Sequence, residues 1–191
     1  MAMQFLTNRD NMVPPNGVEV DFIDWERFPD RVKFNRNSAF LKTCNLGHLN
    51  FDILSPQNWE RRTQGDTWDG AFDSAAGESV LCTSSAPITI LFDKAIRGAG
   101  ANIDIKKGVL FRATIKAFQG NNQISIPTGG SRGDGKSNHD GLGTAIFVGF
   151  LENDPTHRLG IDAIEFHIAL LDQNASLNTG FAINLLELVL E

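Results

Sequence analysis

The chain has 191 residues, of which 41% are hydrophobic and 21% charged, the composition of a folded globular domain and not of a disordered one. A chain of this length buries about 70% of the surface it exposes when unfolded, so it needs neither a metal nor a disulfide to fold. Its net charge is −6 and no run of Lys or Arg exceeds two residues, which argues against a nucleic-acid or anionic-membrane surface.

In chain order, residues 1–17 carry few apolar side chains and the helix-breaking pair Pro14–Pro15. They are predicted to form a tail or arm ahead of a single domain over 18–191. No basic stretch followed by an apolar run opens the chain, so no signal peptide is predicted. No segment approaches the roughly 18 consecutive apolar residues of a membrane helix.

From Val18 the pattern becomes strand-like. Val18, Val20 and Phe22 alternate with Glu19 and Asp21, which predicts a strand with the valines and Phe22 turned inward. Leu49, Phe51 and Ile53 repeat that alternation, and Ile88 to Phe92 is a short run suited to burial on both faces. Ala101, Ile103 and Ile105 are predicted to pair, through the turn Lys106-Lys107-Gly108, with the clearest strand of all, LFRATIKAF. There Phe111, Ala113, Ile115 and Ala117 share one face.

Ala145 to Leu151 is another apolar run, and Ile164, Phe166 and Ile168 alternate with Glu165 and His167. The final segment changes phase, from Phe181 and Ile183 to Leu186, Leu188 and Leu190, which predicts a β-bulge near Leu185. Helix formers in LLELVLE offer a competing helical reading, but the segment is short and uncapped, and strand is preferred. No sustained helical periodicity appears elsewhere. The prediction is an all-β, antiparallel two-sheet sandwich of about ten short strands.

The succession WDGAFDSAAGESVL, PITILFDKAIRGAGANID, FRATIKAF, NHDGLGTAIFVGF and FAINLLEL resembles the jelly-roll domains of bacterial secreted proteins of the PEP-CTERM type. VDFIDW at Val20–Trp25 is similar to the opening strand of that group. The likeness covers about residues 66–190 and implies a jelly-roll sandwich and an extracellular setting. A Pro-Glu-Pro sorting tail does not follow Leu190–Glu191, so sorting by that system is not implied. In many such modules carboxylates near the first and last strands hold a structural calcium. Here that implies Asp21 or Asp24 with Asn184 and Glu187, although Asn184 stands where related domains often carry Asp.

Several short motifs carry candidate chemistry. GSRGDGKS (Gly130–Ser137) fits the phosphate-loop expression, but a phosphate loop requires a helix to start at its Lys, and NHDGLG after Lys136 is a poor helix. Arg132-Gly133-Asp134 is the integrin tripeptide, and Asp134, Asn138 and Asp140 are hard oxygen donors without EF-hand spacing. Residues 128–143 read as an exposed loop whose turn chemistry explains these residues. Cys44 and Cys82 lack metal spacing and read as core thiols or as one disulfide. The four His share no ligand spacing, and no nucleophile elbow or carboxylate pair is marked.

Trp25, Trp59 and Trp68 are the candidate stacking platforms. The segment WERRTQGDTWDG brackets Arg61, Arg62, Asp66 and Asp69 between Trp59 and Trp68, a set that predicts stacking on sugar rings with charged groups bonding hydroxyls. The other reading of these indoles is that they seal the ends of the sandwich. The usage of 14 Phe and no Tyr counts against a sugar binder and for an aromatic core.

Three functions follow, none of them marked by a catalytic motif. The first is a non-catalytic module binding a glycan, with optional structural calcium. The second is a structural or self-assembling sandwich that meets a protein neighbour through the N-terminal arm. The third is a hydrolase whose site is assembled from distant loops. Buried Trp59 and Trp68 would favour the second.

Overall fold

The segment from Ile88 to Ile105 forms one 18-residue strand, and the other elements are arranged along it. The computed structural model describes residues 3–34, 42–54, 59–68, 72, 77–84, 87–105, 110–124, 131–133, 145–154, 156, 158–171 and 180–191. The strands are β1 (Met3–Leu6), β2 (Val20–Ile23), β3 (Lys33–Phe34), β4 (Lys42–Thr43) and β5 (Asn50–Leu54). They continue with β6 (Trp59–Thr63), β7 (Ser79–Thr83), β8 (Ile88–Ile105), β9 (Phe111–Gln119) and β10 (Asn122–Ile124). The last are β11 (Ser131–Gly133), β12 (Ile146–Glu152), β13 (Ile161–Leu170), β14 (Phe181–Ile183) and β15 (Leu186–Leu190). Short 3-10 turns cover Arg9–Asn11 and Trp25–Arg27. Among the described residues there is no α-helix, and no helix is long and apolar enough to cross a membrane.

The protein is an all-β antiparallel sandwich, as its alternating patterns predict. β8 belongs to both layers. Its first part pairs with β5 on one edge and β13 on the other, with Ile90 opposite both Ile53 and Ile164. Its last part pairs with β12 on one edge and with β15 and then β14 on the other. Between these parts Phe92 to Ala95 bulge against the single residue Asp162, and Ile96 pairs with both Ile161 and Leu190. A bulge bends its strand, and this one carries β8 from one layer into the next.

One layer therefore runs β4-β5-β8-β13-β9-β10, and the other runs β1-β12-β8-β15-β2 with β14, β7, β6 and β3 continuing it. Phe111, Ile115, Phe166 and Ile168 from the first layer meet Val148, Phe150, Ile183 and Leu186 from the second in one core.

The second layer depends on close backbone approach. Gly100 lies opposite Gly149, and the Phe147 ring covers both. A Cβ at Gly100 would stand 2.3 Å from Phe147 Cζ, and one at Gly149 would stand 2.9 Å from the Ala99 carbonyl oxygen. Only glycine fits beneath that ring. Phe147 in turn packs with Leu6, Met12, Leu151 and Val189 in a small cluster on the outer face of the layer.

Three expectations are corrected. The segment read as a tail or arm ahead of the domain places its residues 3–6 within the sheet, as β1 on the edge of β12, from Met3↔Glu152 to Leu6↔Gly149. Its continuation then crosses the outer face to reach β2 on β15. Met3, Leu6 and Met12 of this segment are buried and Phe5 is half-buried, while Val13 is exposed.

The second correction concerns Ala101–Ile105, which does not pair with β9. Both edges of β8 are already taken by β12, β15 and β14, and β9 pairs with β13. The third is the phase of β2, which is inverted: Asp21 and Ile23 are buried, while Val20 is exposed. Asp21 tolerates burial because its carboxylate accepts backbone N–H bonds from Phe22 (2.8 Å), Leu46 (2.9 Å) and His48 (3.0 Å).

The remaining phases are as the sequence predicts. Phe51, Phe111, Ile115, Ile164, Phe166, Ile168 and Ile183 are all buried. The phase change after Ile183 is a bulge. Between the pairs Ile183↔Ile103 and Glu187↔Gly100 the final segment carries one residue more than β8.

Phe166→Ala empties a fully enclosed ring site and is expected to cost about 3–5 kcal/mol. Gly100→Val forces the Phe147 ring away and is expected to cost at least about 1–3 kcal/mol. Denaturant midpoints measure both, and an unchanged midpoint for either would refute the packing described.

Candidate functional site

The hairpin of β6 and β7 positions the tryptophan segment. Trp59 is 2% exposed and belongs to the main core, where it meets Phe28 edge-on at 5.3 Å. Trp68 is 3% exposed and packs with Phe72, Val80, Cys82 and Ala182 in a separate cluster. Leu81 belongs to the core of Trp59, while its neighbours Val80 and Cys82 belong to the cluster of Trp68. The two indoles thus lie on opposite faces of one sheet and frame no common surface. Their burial leaves neither ring face open for a sugar, and Trp25 is buried as well.

The charged residues of that segment bond within the protein. Arg61 donates to Ser79 Oγ from Nε (3.1 Å) and Nη2 (2.7 Å) and lies 3.5 Å from Asp30. Arg62 pairs with Glu60 and donates to the Thr67 carbonyl at 2.9 Å. Asp66 accepts from Arg31 at 3.3 Å on the surface. Asp69 lies outside the described residues.

The four proposed calcium ligands lie along the seam of β2 with the final segment, each with another role. Asp21 holds the 46–48 loop, as above. Asp24 caps the Trp25–Arg27 turn, its Oδ1 accepting from Glu26 N at 3.0 Å. Glu187 forms an ion pair with Arg9.

Asn184 sits in the bulge. Its backbone N–H donates to the Asn102 carbonyl at 3.2 Å, and its side-chain oxygen accepts from Asn102 N at 2.9 Å. That amide oxygen substitutes for the carbonyl that the extra residue has displaced from the ladder. Its own carbonyl accepts from Trp25 Nε1 at 2.7 Å. Among the described residues no group of three or more His, Cys, Asp or Glu is placed to hold a metal.

One residue of this seam has no signal in the sequence. Glu78 accepts from Asn184 Nδ2 at 3.2 Å, and its Oε2 is buried without a partner among the described residues. Burial pushes its carboxyl above the ordinary range against the opposing hydrogen bonds of Asn184 and Leu185, and nearby Asp24 adds to the rise. Nothing in Gly77-Glu78-Ser79 marks this residue for such a place.

Three further features lie elsewhere in the molecule. Cys44 and Cys82 are buried and not joined by a disulfide, and burial, reinforced by the Asp21 charge, pushes the Cys44 thiol up to about 12. On the open face of β9 and β13, Glu165 contacts His167, accepts from Lys116 at 3.2 Å and lies 3.3 Å from Thr89 Oγ1. Burial works against ionisation of Glu165, but bonds from His167 and Lys116 outweigh it and lower its carboxyl. A groove of about 360 Å³ runs beneath the crossing N-terminal segment, between Arg9, Met12, Val20, Phe22 and Leu185.

Of the 128–143 motif region, only Ser131–Gly133 is described, as β11 paired with β9. Lys136, Ser137, Asp134, Asn138 and Asp140 lie outside the described residues. No family model matches the chain, and no curated protein is significantly similar to it.

The two carboxyls predict opposite pH effects. For Glu78, with its raised folded value, the folded state holds the proton more tightly, so stability falls as pH rises through the window between the unfolded and folded values. Glu78→Gln is therefore expected to raise the melting temperature at pH 7, with the gain vanishing in acid. Glu165, whose folded value is lowered, contributes stability above its unfolded value and loses it as pH falls. Glu165→Gln is expected to lower the melting temperature at pH 7, again with the difference fading in acid. Thermal melts from pH 3 to 8 would expose a wrong sign in either.

Cys44 is expected to resist iodoacetamide at pH 8 until the chain is unfolded, because only the thiolate reacts. Alkylation of the native protein at the rate of a free thiol would contradict its burial.

Proposed function

We propose that the chain is a non-catalytic, self-assembling β-sandwich building block whose joining element is the segment up to residue 17. The observation that carries this reading is the placement of that segment. It completes the edge of β12 with four backbone pairs and then covers Phe147, Leu151 and Val189 on the outer face of the layer. An edge strand and the apolar patch beside it are what one folded domain offers another. The burial of Trp59 and Trp68 supports the same reading, since it removes the stacking platforms on which glycan binding rested.

A glycan-binding module is the second reading, favoured by the open face of β9 and β13. Half-buried Phe118 there lies opposite Ala163, next to the Lys116–Glu165 pair and the Thr114–His167 pair. An aromatic ring beside bonded polar groups suits a polyhydroxylated ligand. On this reading a glycan array returns binding that Phe118→Ala removes.

Light scattering of the full chain across a hundredfold concentration range tests the first reading. The expected result is growth of dimers or larger species with concentration, which Leu6→Asp suppresses and Trp68→Phe leaves intact. A strict monomer under all conditions would overturn self-assembly. Unchanged assembly of a folded Leu6→Asp variant would move the joining element elsewhere.

A further inference from the structure

We infer that residues 3–17 exchange between two copies of the chain, each laying its β1 beside β12 of the other. This rests on the assembly reading above and specifies its partner, a second copy, and its geometry, a reciprocal strand swap.

The attachment of the segment to its own domain is slight. β1 has only four ladder pairs, Met3↔Glu152 to Leu6↔Gly149. Leu6 and Met12 pack in a cluster separate from the main core, and only Met3 and half-buried Phe5 of the segment touch that core, so most of its apolar contacts are given up on release. The clasp between Arg9 and Glu187 lies at the surface, with Arg9 56% exposed, where ion pairs add little. A groove of about 360 Å³ borders the segment at Arg9 and Met12, so the chain there is not packed continuously against β2 and β15.

The connection is built to open. Val13 is 67% exposed, and Pro14 and Pro15 follow it. Two consecutive prolines bias the chain toward an extended path and donate no N–H that could hold it to the sheet. Fully stretched, residues 7–19 reach about 45 Å, enough to carry β1 to a neighbouring domain.

The vacated place selects its own occupant. An empty β12 edge needs a strand that pairs from Glu152 to Gly149 and sets apolar side chains against Phe147 and Leu151. The same segment from a second copy does this in the same register. Pairing and packing that one chain gives up on release are recovered in the pair, so concentration sets the balance.

Gln4 and Asn153 provide the test, because both are exposed and their side chains bond at 3.1 Å across the β1–β12 edge. A Gln4→Cys chain and an Asn153→Cys chain of different mass are mixed at high concentration, incubated and oxidised with glutathione disulfide. Each carries a single exposed thiol among the described residues, since Cys44 and Cys82 are buried. A disulfide joining the two can form only between chains. Asp66→Cys, on a different surface, replaces Asn153→Cys in the control, and denaturant midpoints near wild type confirm that all variants fold.

The expected result is heterodimer at least tenfold above the control, reduced by the Pro14→Ala/Pro15→Ala change. Heterodimer at the control level while light scattering still detects assembly would overturn the exchange and leave the assembly reading standing. Control-level heterodimer with no assembly at all would overturn both.

Discussion

Hydrogen bonding along both edges of β8 is the constraint from which the other placements follow. Its 18 residues have backbone partners in β5, β12, β13, β14 and β15. A strand so placed cannot shift register without breaking several ladders at once. The glycines at 98, 100 and 149 let neighbouring chains come close enough, and the Phe147 ring restores the apolar surface that glycine lacks. Bulky residues at these sites would separate β8 from β12, and the cluster that holds the N-terminal segment would go with them.

The second device is the bulge at Asn184. An extra residue in a ladder leaves a backbone donor without its partner, and a buried unpaired donor is expensive. Asn is suited to this position because its side-chain amide imitates a peptide group, accepting from Asn102 and donating to Glu78. An Asp at this position would instead place a second carboxylate against the buried carboxyl of Glu78. In this chain Asn184 therefore reads as a piece of backbone repair. Trp25 closes the seam through its indole N–H, which explains how a fully buried tryptophan is satisfied here.

Most of the fold was legible because alternation encodes which side of a strand is wet. Phe111 to Ala117, Ile164 to Ile168 and the phase change after Ile183 are all placed as their patterns imply. Alternation failed at β2, where an aspartate lies inside and a valine outside. The reason is local: three backbone N–H groups satisfy Asp21, and no pattern of apolar residues announces a solvated carboxylate. Pairing was less legible than phase. Neighbours in sequence suggested a hairpin of β8 and β9, yet the partners of β8 come from segments far along the chain. The tryptophan segment misled for a related reason. Trp59 and Trp68 are close in sequence, but the chain between them turns from one face of the sheet to the other, and spacing alone does not carry that turn.

Because β8 belongs to both layers, neither can melt alone. Loss of the first layer would strip Ile88 to Phe92 of partners, and the bend at Ile96 would pass that loss into the ladders of β12 and β15. The sandwich is then one cooperative unit, with a single global opening event that sets amide exchange throughout β8. On the exchange proposed above, release of the segment that crosses the outer face would be a second event, and the molecule would then have two thresholds, one for holding its shape and one for meeting a neighbour.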